Sequence, residues 1–290
     1  MNPGLEGYVE DLPSLDARRF AVALRKLADS LAYGGDRSPF LGAGIEYVQS
    51  RPYSPGDSVR AIDWRVTART RKFFVKEYEA PRSMPAIFLL DTSASMTVSS
   101  TARSKYETAL FVAGGLALAC LDRMSPVGVV TVGDRALRVR PSLSTSRVLE
   151  WMTRLRTFRY DERTTLGRRL REMAPGLAER TLFFVLSDLH DPDALKPLKL
   201  LAERHDVVVI EFVDPAETGL AGAGFLRARE AETGVESTIS GAAVGVDKSE
   251  LRAGLKRAGT DHLEIRTDRP FVFALRRLLA ARGAAGRGLR

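Results

Sequence analysis

Three short runs constrain this chain most: 86–90 (AIFLL), 182–186 (LFFVL) and 207–213 (VVVIEFV). A strand with one wet face alternates apolar and polar residues. A run that is apolar at nearly every position belongs to a strand buried on both faces, as in a parallel sheet covered by helices on each side. The stretches between the runs have helical spacing. Residues 104–124 read as a helix broken by Ser125-Pro126, and 144–157 as another carrying Val148, Leu149, Met152 and Leu155. Further helices are expected over 165–179 and 192–204, and shorter strands over 127–132 and 136–139, around a turn at Gly133-Asp134. This alternation predicts an α/β fold with a mostly parallel sheet, helices on both faces and right-handed crossovers.

The flanks read differently. Residues 14–33 place Phe20, Leu24, Leu27 and Leu31 at helical spacing, with Ser14 or Asp16 as cap and Gly34-Gly35 as stop. Over 35–80 turn formers recur (Pro39, Gly42, Gly44, Pro52, Pro55-Gly56-Asp57) around candidate strands at 46–50 and 73–79. Beyond Asp214-Pro215 a hairpin is expected from 224–229 and 235–240, joined through Glu232-Thr233-Gly234. A helix over 247–258, an edge strand over 262–266 and a final helix over 270–282 follow. The expected organisation is an N-terminal helix region (1–34), a small β-rich appendage (35–84), the α/β domain (85–282) and a disordered tail (283–290).

Composition narrows the chemistry. One cysteine in 290 residues, Cys120, excludes a disulfide framework or a Cys-rich metal site. His190, His205 and His262 lack the spacing of a histidine-ligated metal. The opening MNPGLEGYVEDLP lacks the apolar stretch of a signal peptide. The longest uncharged apolar run, 108–121, falls short of the roughly 18 to 20 residues that span a bilayer. A soluble, cytoplasmic protein without a transmembrane segment is expected. The net charge of +8 is concentrated in two segments. Residues 51–82 hold eight basic against four acidic side chains, and 250–290 hold ten against four. Both suit an acidic partner surface; no nucleic-acid motif accompanies them, and nucleic-acid binding is not expected.

In open α/β sheets, ligands bind beyond the carboxyl ends of the strands. Two of the three buried runs end there in an acidic residue among hydroxyls: Asp91-Thr92-Ser93-Ala94-Ser95 and Ser187-Asp188. Arg163-Thr164-Thr165-Leu166-Gly167 opens a helix between them in sequence and adds further hydroxyls. Two carboxylates and several hydroxyls form an all-oxygen donor set, suited to Mg²⁺, Mn²⁺ or Ca²⁺ rather than zinc or copper.

Asp91-x-Ser93-x-Ser95, a distant threonine and a later strand-terminal Asp188 resemble the metal-ion-dependent adhesion site of von Willebrand factor A domains over about residues 85–215. The resemblance implies a von Willebrand A-like, Rossmann-like domain with Asp91, Ser93, Ser95, Thr164 (or Thr165) and Asp188 as metal ligands. It also implies an open position for a partner's acidic side chain. Adhesion-type domains read Gly-Gly-Thr at the threonine loop. Here it is Glu162-Arg163-Thr164-Thr165, and Arg163 is expected close to the metal position. A second motif, Arg51-x-Tyr53-x-Pro55-Gly56-Asp57-x-x-Arg60-x-Ile62-Asp63-Trp64 followed by Ala68-Arg69, is similar to the signature of the bacterial family called domain of unknown function 58. Those proteins join this segment to a von Willebrand A-like domain and are commonly encoded beside MoxR-type AAA+ ATPases.

The remaining features read as structural. Asp57, Arg60, Asp63 and Arg69 are expected to form Arg–Asp pairs in an appendage covered by Trp64, with Pro-Gly-Asp making a turn. Gly114-Gly115 suggest close helix–sheet packing, Cys120 a core position, and His190 a loop histidine near Asp188. The chain has no GxxxxGK[ST] or GxSxG, and DTSAS lacks the second aspartate of a phosphatase-type loop. No catalytic residue is assigned. The expected function is a non-enzymatic, metal-dependent protein-interaction module. Its partner is a MoxR-type AAA+ ATPase or its client, engaged through an acidic side chain in complex assembly or maturation. The alternative is a metal-dependent hydrolase using Asp91 and Asp188.

Overall fold

The computed structural model describes residues 17–32, 46–79, 84–134, 137–156, 162–177, 179–218, 225–229, 231, 235–240 and 248–284. The expected cap Ser14 or Asp16, the Gly34-Gly35 stop, the Glu232-Thr233-Gly234 turn and residues 285–290 of the expected tail lie outside them. The described residues open with helix α1 (Ala17–Ala32), strand β1 (Glu46–Pro52), helix α2 (Trp64–Thr70) and strand β2 (Phe74–Glu79). Then come β3 (Ala86–Leu90), α3 (Lys105–Asp122), β4 (Val127–Thr131), β5 (Arg138–Ser142), α4 (Thr145–Leu155) and α5 (Leu166–Met173). The C-terminal part holds β6 (Leu182–Ser187), α6 (Leu195–Arg204), β7 (Asp206–Val213), β8 (Phe225–Arg229) and β9 (Glu236–Ser240). It ends with α7 (Ser249–Arg257), β10 (Asp261–Arg266) and α8 (Val272–Ala284). Helix α8 thus runs through 283 and 284, which the sequence assigns to the tail.

The main sheet has six strands in the order β10-β7-β6-β3-β4-β5. Every neighbouring pair is parallel except β4 and β5. The three apolar runs are the adjacent central strands β3, β6 and β7. β3 and β6 are buried along their whole length, and β7 everywhere except its first residue, Asp206. Successive side chains of β3 point to opposite faces. Ala86, Phe88 and Leu90 join one core with α1, α3, α4 and α8, while Ile87 and Leu89 join another with α5, α6 and α7. The mixed α/β fold with helices on both faces is therefore present.

Helix α3 is apolar nearly all round because the sheet lies on one side and α1 and α4 on the other. Ser104 and Glu107 form its N-terminal capping box. Gly114 and Gly115 serve helix–helix rather than helix–sheet contact. A Cβ at Gly115 would lie 2.4 Å from Leu27 Cδ2, and one at Gly114 would lie 2.6 Å from Met152 Cε. Phe20, Leu24, Leu27 and Leu31 of α1 pack into the same core. Cys120 is fully buried there, and burial pushes its thiol pKa up.

Strand β5 lies at Arg138–Ser142 rather than 136–139. Its half-exposed edge position produces no apolar run, and Pro141 reads as a breaker although an edge strand tolerates it.

In the appendage, β1 and β2 pair antiparallel, and between them lies α2, which periodicity does not reveal. Its sequence, WRVTART, has no apolar stripe. Asp63 instead caps it, Oδ1 accepting the Arg65 and Val66 N–H groups, while Oδ2 accepts the Ser50 hydroxyl at 2.7 Å. The expected Arg–Asp network does not form as read. Asp57 pairs bidentately with Arg51 at 2.7 Å, whereas Arg60 and Arg69 are exposed. The Pro-Gly-Asp turn is present, closed by Asp57 N–H on Ser54 O, with Gly56 at φ 107°. Trp64 does not form the expected cover: it is 63% exposed.

Candidate metal centre

The chain runs outward from β3 to β4 and β5, then crosses back to place β6 on the other side of β3. The loops leaving β3 and β6 diverge at this reversal, and the crevice between them is where such sheets hold ligands. Asp91 follows β3 and Asp188 follows β6; neither is exposed. Asp91 N–H still bonds Leu186 O at 2.9 Å. Its Oδ1 accepts the Ser93 N–H at 2.9 Å, and its Oδ2 accepts the Ser187 hydroxyl at 2.5 Å. The hydroxyls of Ser93 and Ser95 lie 3.0 Å apart. Burial and the neighbouring charge of Asp188 push Asp91 up to about 7 despite the Ser187 and Ser93 hydrogen bonds.

The threonine segment is stitched to this loop. Ala94 N–H donates to Glu162 O, and the Thr92 hydroxyl donates to Glu162 Oε2, both at 2.8 Å. Gly133 makes room for that contact, since a Cβ there would lie 1.9 Å from Glu162 Oε2. Thr165 stands at the N-cap position of α5 without a side-chain capping bond, its hydroxyl donating instead to Val132 O and Gly133 O, at 2.6 and 3.0 Å. Thr164, the preceding residue, belongs to the segment that Glu162 joins to the Asp91 loop. Arg163 is exposed rather than buried among the carboxylates, and its N–H donates to Asp134 Oδ2.

Sequence reasoning missed the cations beside Asp188. Lys105, the first residue of α3, is fully buried with Nζ 2.7 Å from Asp188 Oδ2, and it also pairs with Glu217. Lys248 donates to Asp188 O and lies 3.3 Å from Glu211 Oε1. His190 Nδ1 is 3.3 Å from Asp188 Oδ2. Burial alone would raise the pKa of Asp188; the charges of Lys105, His190 and Lys248 outweigh it and lower it. Burial pushes His190 down, against the pull of Asp188. A signal existed for Lys105, because a cation in the first turn opposes the helix macrodipole and so calls for a carboxylate. Asp214, which sequence pattern marks only as a boundary, is a further buried carboxylate. It closes β7 and accepts the Ser100 N–H and hydroxyl.

Leu189 follows Asp188 in the left-handed region, at φ 57°. This strained turn is held by its N–H on Ser187 Oγ and by the burial of its side chain.

The donor set fits a hard divalent cation. Asp91, Ser93, Ser95 and Asp188 offer only oxygen, and Asp188 Oδ1 is buried with no hydrogen-bond partner among the described residues. Glu217 Oε2 is in the same condition. Ligand atoms of Asp188, His190 and Glu217 lie within 4.8 Å of one another, with Lys105 bonded to both carboxylates.

Residues 49–265 match the family described as "Protein of unknown function DUF58". The chain is 28% identical to the uncharacterized protein Rv1480 of Mycobacterium tuberculosis, an alignment covering 96% of this chain and 92% of the relative. The uncharacterized protein Mb1516 of Mycobacterium bovis aligns with the same identity and coverage. Among solved structures it is similar to an aerotolerance-related membrane protein from Bacteroides fragilis (TM-score 0.49, 14% identity, 70% of this chain and 100% of that one). It is also similar to the conserved hypothetical protein BatB from Bacteroides thetaiotaomicron (TM-score 0.46, 15% identity, the same coverage).

Proposed function

The chain belongs to the DUF58 family, and from that premise we propose that it is a non-enzymatic, cation-dependent protein-interaction module on a von Willebrand A-like domain. The observation that carries the reading is the pairing of Asp91 and Asp188 at the strand-order reversal, with Asp188 Oδ1 buried and unpartnered among the described residues. Asp91, Ser93, Ser95, Thr164 and Asp188 would hold Mg²⁺, with Mn²⁺ or Ca²⁺ as alternatives. The bound cation supplies an electrophilic position for a partner's Asp or Glu carboxylate. The chain's own residues arrange this face. Ser187 and the Ser93 N–H orient Asp91, and Lys105 and Lys248 fix Asp188 and its main chain. Glu162 ties the threonine segment to the Asp91 loop.

The family resemblance supplies the partner, a cytoplasmic MoxR-type AAA+ ATPase or its client. No described helix is long and apolar enough to cross a membrane. The test is capture of a MoxR-type ATPase from the same genome with Mg²⁺, with EDTA, and with Asp91→Ala. The reading requires capture in Mg²⁺ alone and by wild type alone. Equal capture in EDTA removes the cation from the interaction. Phosphoester or peptide hydrolysis abolished by Asp188→Ala supports the hydrolase alternative instead.

A further inference from the structure

The appendage carries a surface that the cation face does not use. Large apolar side chains project from it: Val59 is 64% exposed, Trp64 63% and Phe73 58%. Tyr53 stands edge-on to Phe73, ring centroids 6.5 Å apart. The segment 64–73, WRVTARTRKF, has four basic residues and no acidic one, and Arg65, Arg69, Arg71 and Lys72 are all exposed. Within the unit Arg51 pairs with Asp57, and Asp63 is engaged as the cap of α2.

Helix geometry puts the two chemistries on one side. At 3.6 residues per turn, Trp64, Arg65, Ala68 and Arg69 share one arc of α2, and all four are exposed. Val66 and Thr67 are half-buried, and the Thr67 hydroxyl accepts the Phe74 N–H of the hairpin at 3.1 Å. Trp64 and Phe73 flank the helix ends, and Val59 precedes it. Arg65 and Arg69 are like charges one turn apart, an arrangement that costs an isolated helix stability and is relieved by an anionic surface.

We propose that this face docks the protein peripherally on an anionic lipid surface. Val59, Trp64 and Phe73 each stand more than half exposed beside the basic residues of α2. They suit a bilayer interface, where aromatic rings sit at headgroup level and clustered Lys and Arg are drawn to acidic lipids. Contact through the exposed side chains of a short helix and its flanks makes the association peripheral. The proposal is independent of the cation reading.

Trp64 is its own reporter, since the other tryptophan, Trp151, is 2% exposed in the core. The experiment titrates the full chain, in EDTA, with vesicles of phosphatidylcholine alone and with 30% phosphatidylglycerol. Fluorescence and co-sedimentation are followed. The expected result is a blue shift and sedimentation with the anionic vesicles only, reversed by high salt. Arg65→Gln/Arg69→Gln should lower the partition coefficient about 25-fold, at about fivefold per basic residue. Trp64→Ala/Phe73→Ala should lower it with the charge unchanged. Absence of binding to anionic vesicles overturns the proposal. So does binding that both double variants retain, which would place it on the basic 250–290 segment. Preference of this same face for an oligonucleotide or a poly-glutamate peptide over vesicles likewise overturns it.

Discussion

Lys105 Nζ lies 2.7 Å from Asp188 Oδ2, and neither side chain reaches solvent. The pair ties the first turn of α3 to the end of β6, and Glu217 joins it from beyond β7. A fixed internal cation thus occupies one oxygen of Asp188 and leaves the other without a partner among the described residues.

Lys105→Met leaves two carboxylates beside an apolar side chain. Loss of one partner from a buried pair costs about 3 to 5 kcal/mol, and a fall in Tm on the order of 10 °C is expected. Adding Asp188→Asn should restore part of it. An unchanged Tm in the single variant would show that the pair contributes nothing.

The acid limb of stability should report Glu211. Burial would raise this carboxyl, but hydrogen bonds from His262 and Arg252 and the Lys248 charge outweigh it and lower it to about 2; Arg252 also pairs with Glu264. A carboxyl held below its ordinary value stabilises the fold above that value. The contribution, roughly 3 kcal/mol, is lost as pH falls from about 4.5 towards 2. Urea unfolding between pH 6 and 2 should show wild type losing its advantage over Glu211→Gln. Parallel profiles for the two proteins would contradict this.

Much of this was legible because it depends on short-range pattern. The runs 86–90, 182–186 and 207–213 read as strands buried on both faces, and Asp91 and Asp188, the carboxylates of the candidate site, follow the strands formed by the first two. What stayed hidden depends on tertiary partners. Helix α2 rests on Asp63 and the hairpin rather than on an apolar stripe. Lys105 and Lys248 read as ordinary surface lysines until the fold brings Asp188, Glu217 and Glu211 to them. Trp64 was expected to cover the appendage, as large aromatics commonly do, and instead faces outward.

The α1–α3 contact predicts a coupled pair. Gly115→Ala forces a methyl against Leu27, where no space exists, at a cost of about 1 to 3 kcal/mol. Leu27→Ala opens a cavity by itself, yet should be partly compensated when combined with Gly115→Ala. Strict additivity of the two in chemical denaturation would mean that α1 does not pack as described.

Gly133→Ala should spare the fold, because the Glu162 carboxylate can swing aside. It breaks the buried Thr92–Glu162 hydrogen bond, at about 1.5 to 3 kcal/mol for a bond to a charged group. Thr92→Val should cost a similar amount, and the double variant little more than either alone. A double variant showing the sum of both losses would contradict a shared mechanism.

The central claim is that Asp91 and Asp188 form one divalent-cation site. Isothermal titration of Mg²⁺, and then Mn²⁺, into EDTA-stripped wild type and Asp91→Ala tests it most directly. The account predicts one saturable site per chain in wild type and none in Asp91→Ala. Heats of dilution alone from correctly folded wild type at millimolar Mg²⁺ and Mn²⁺ would contradict it.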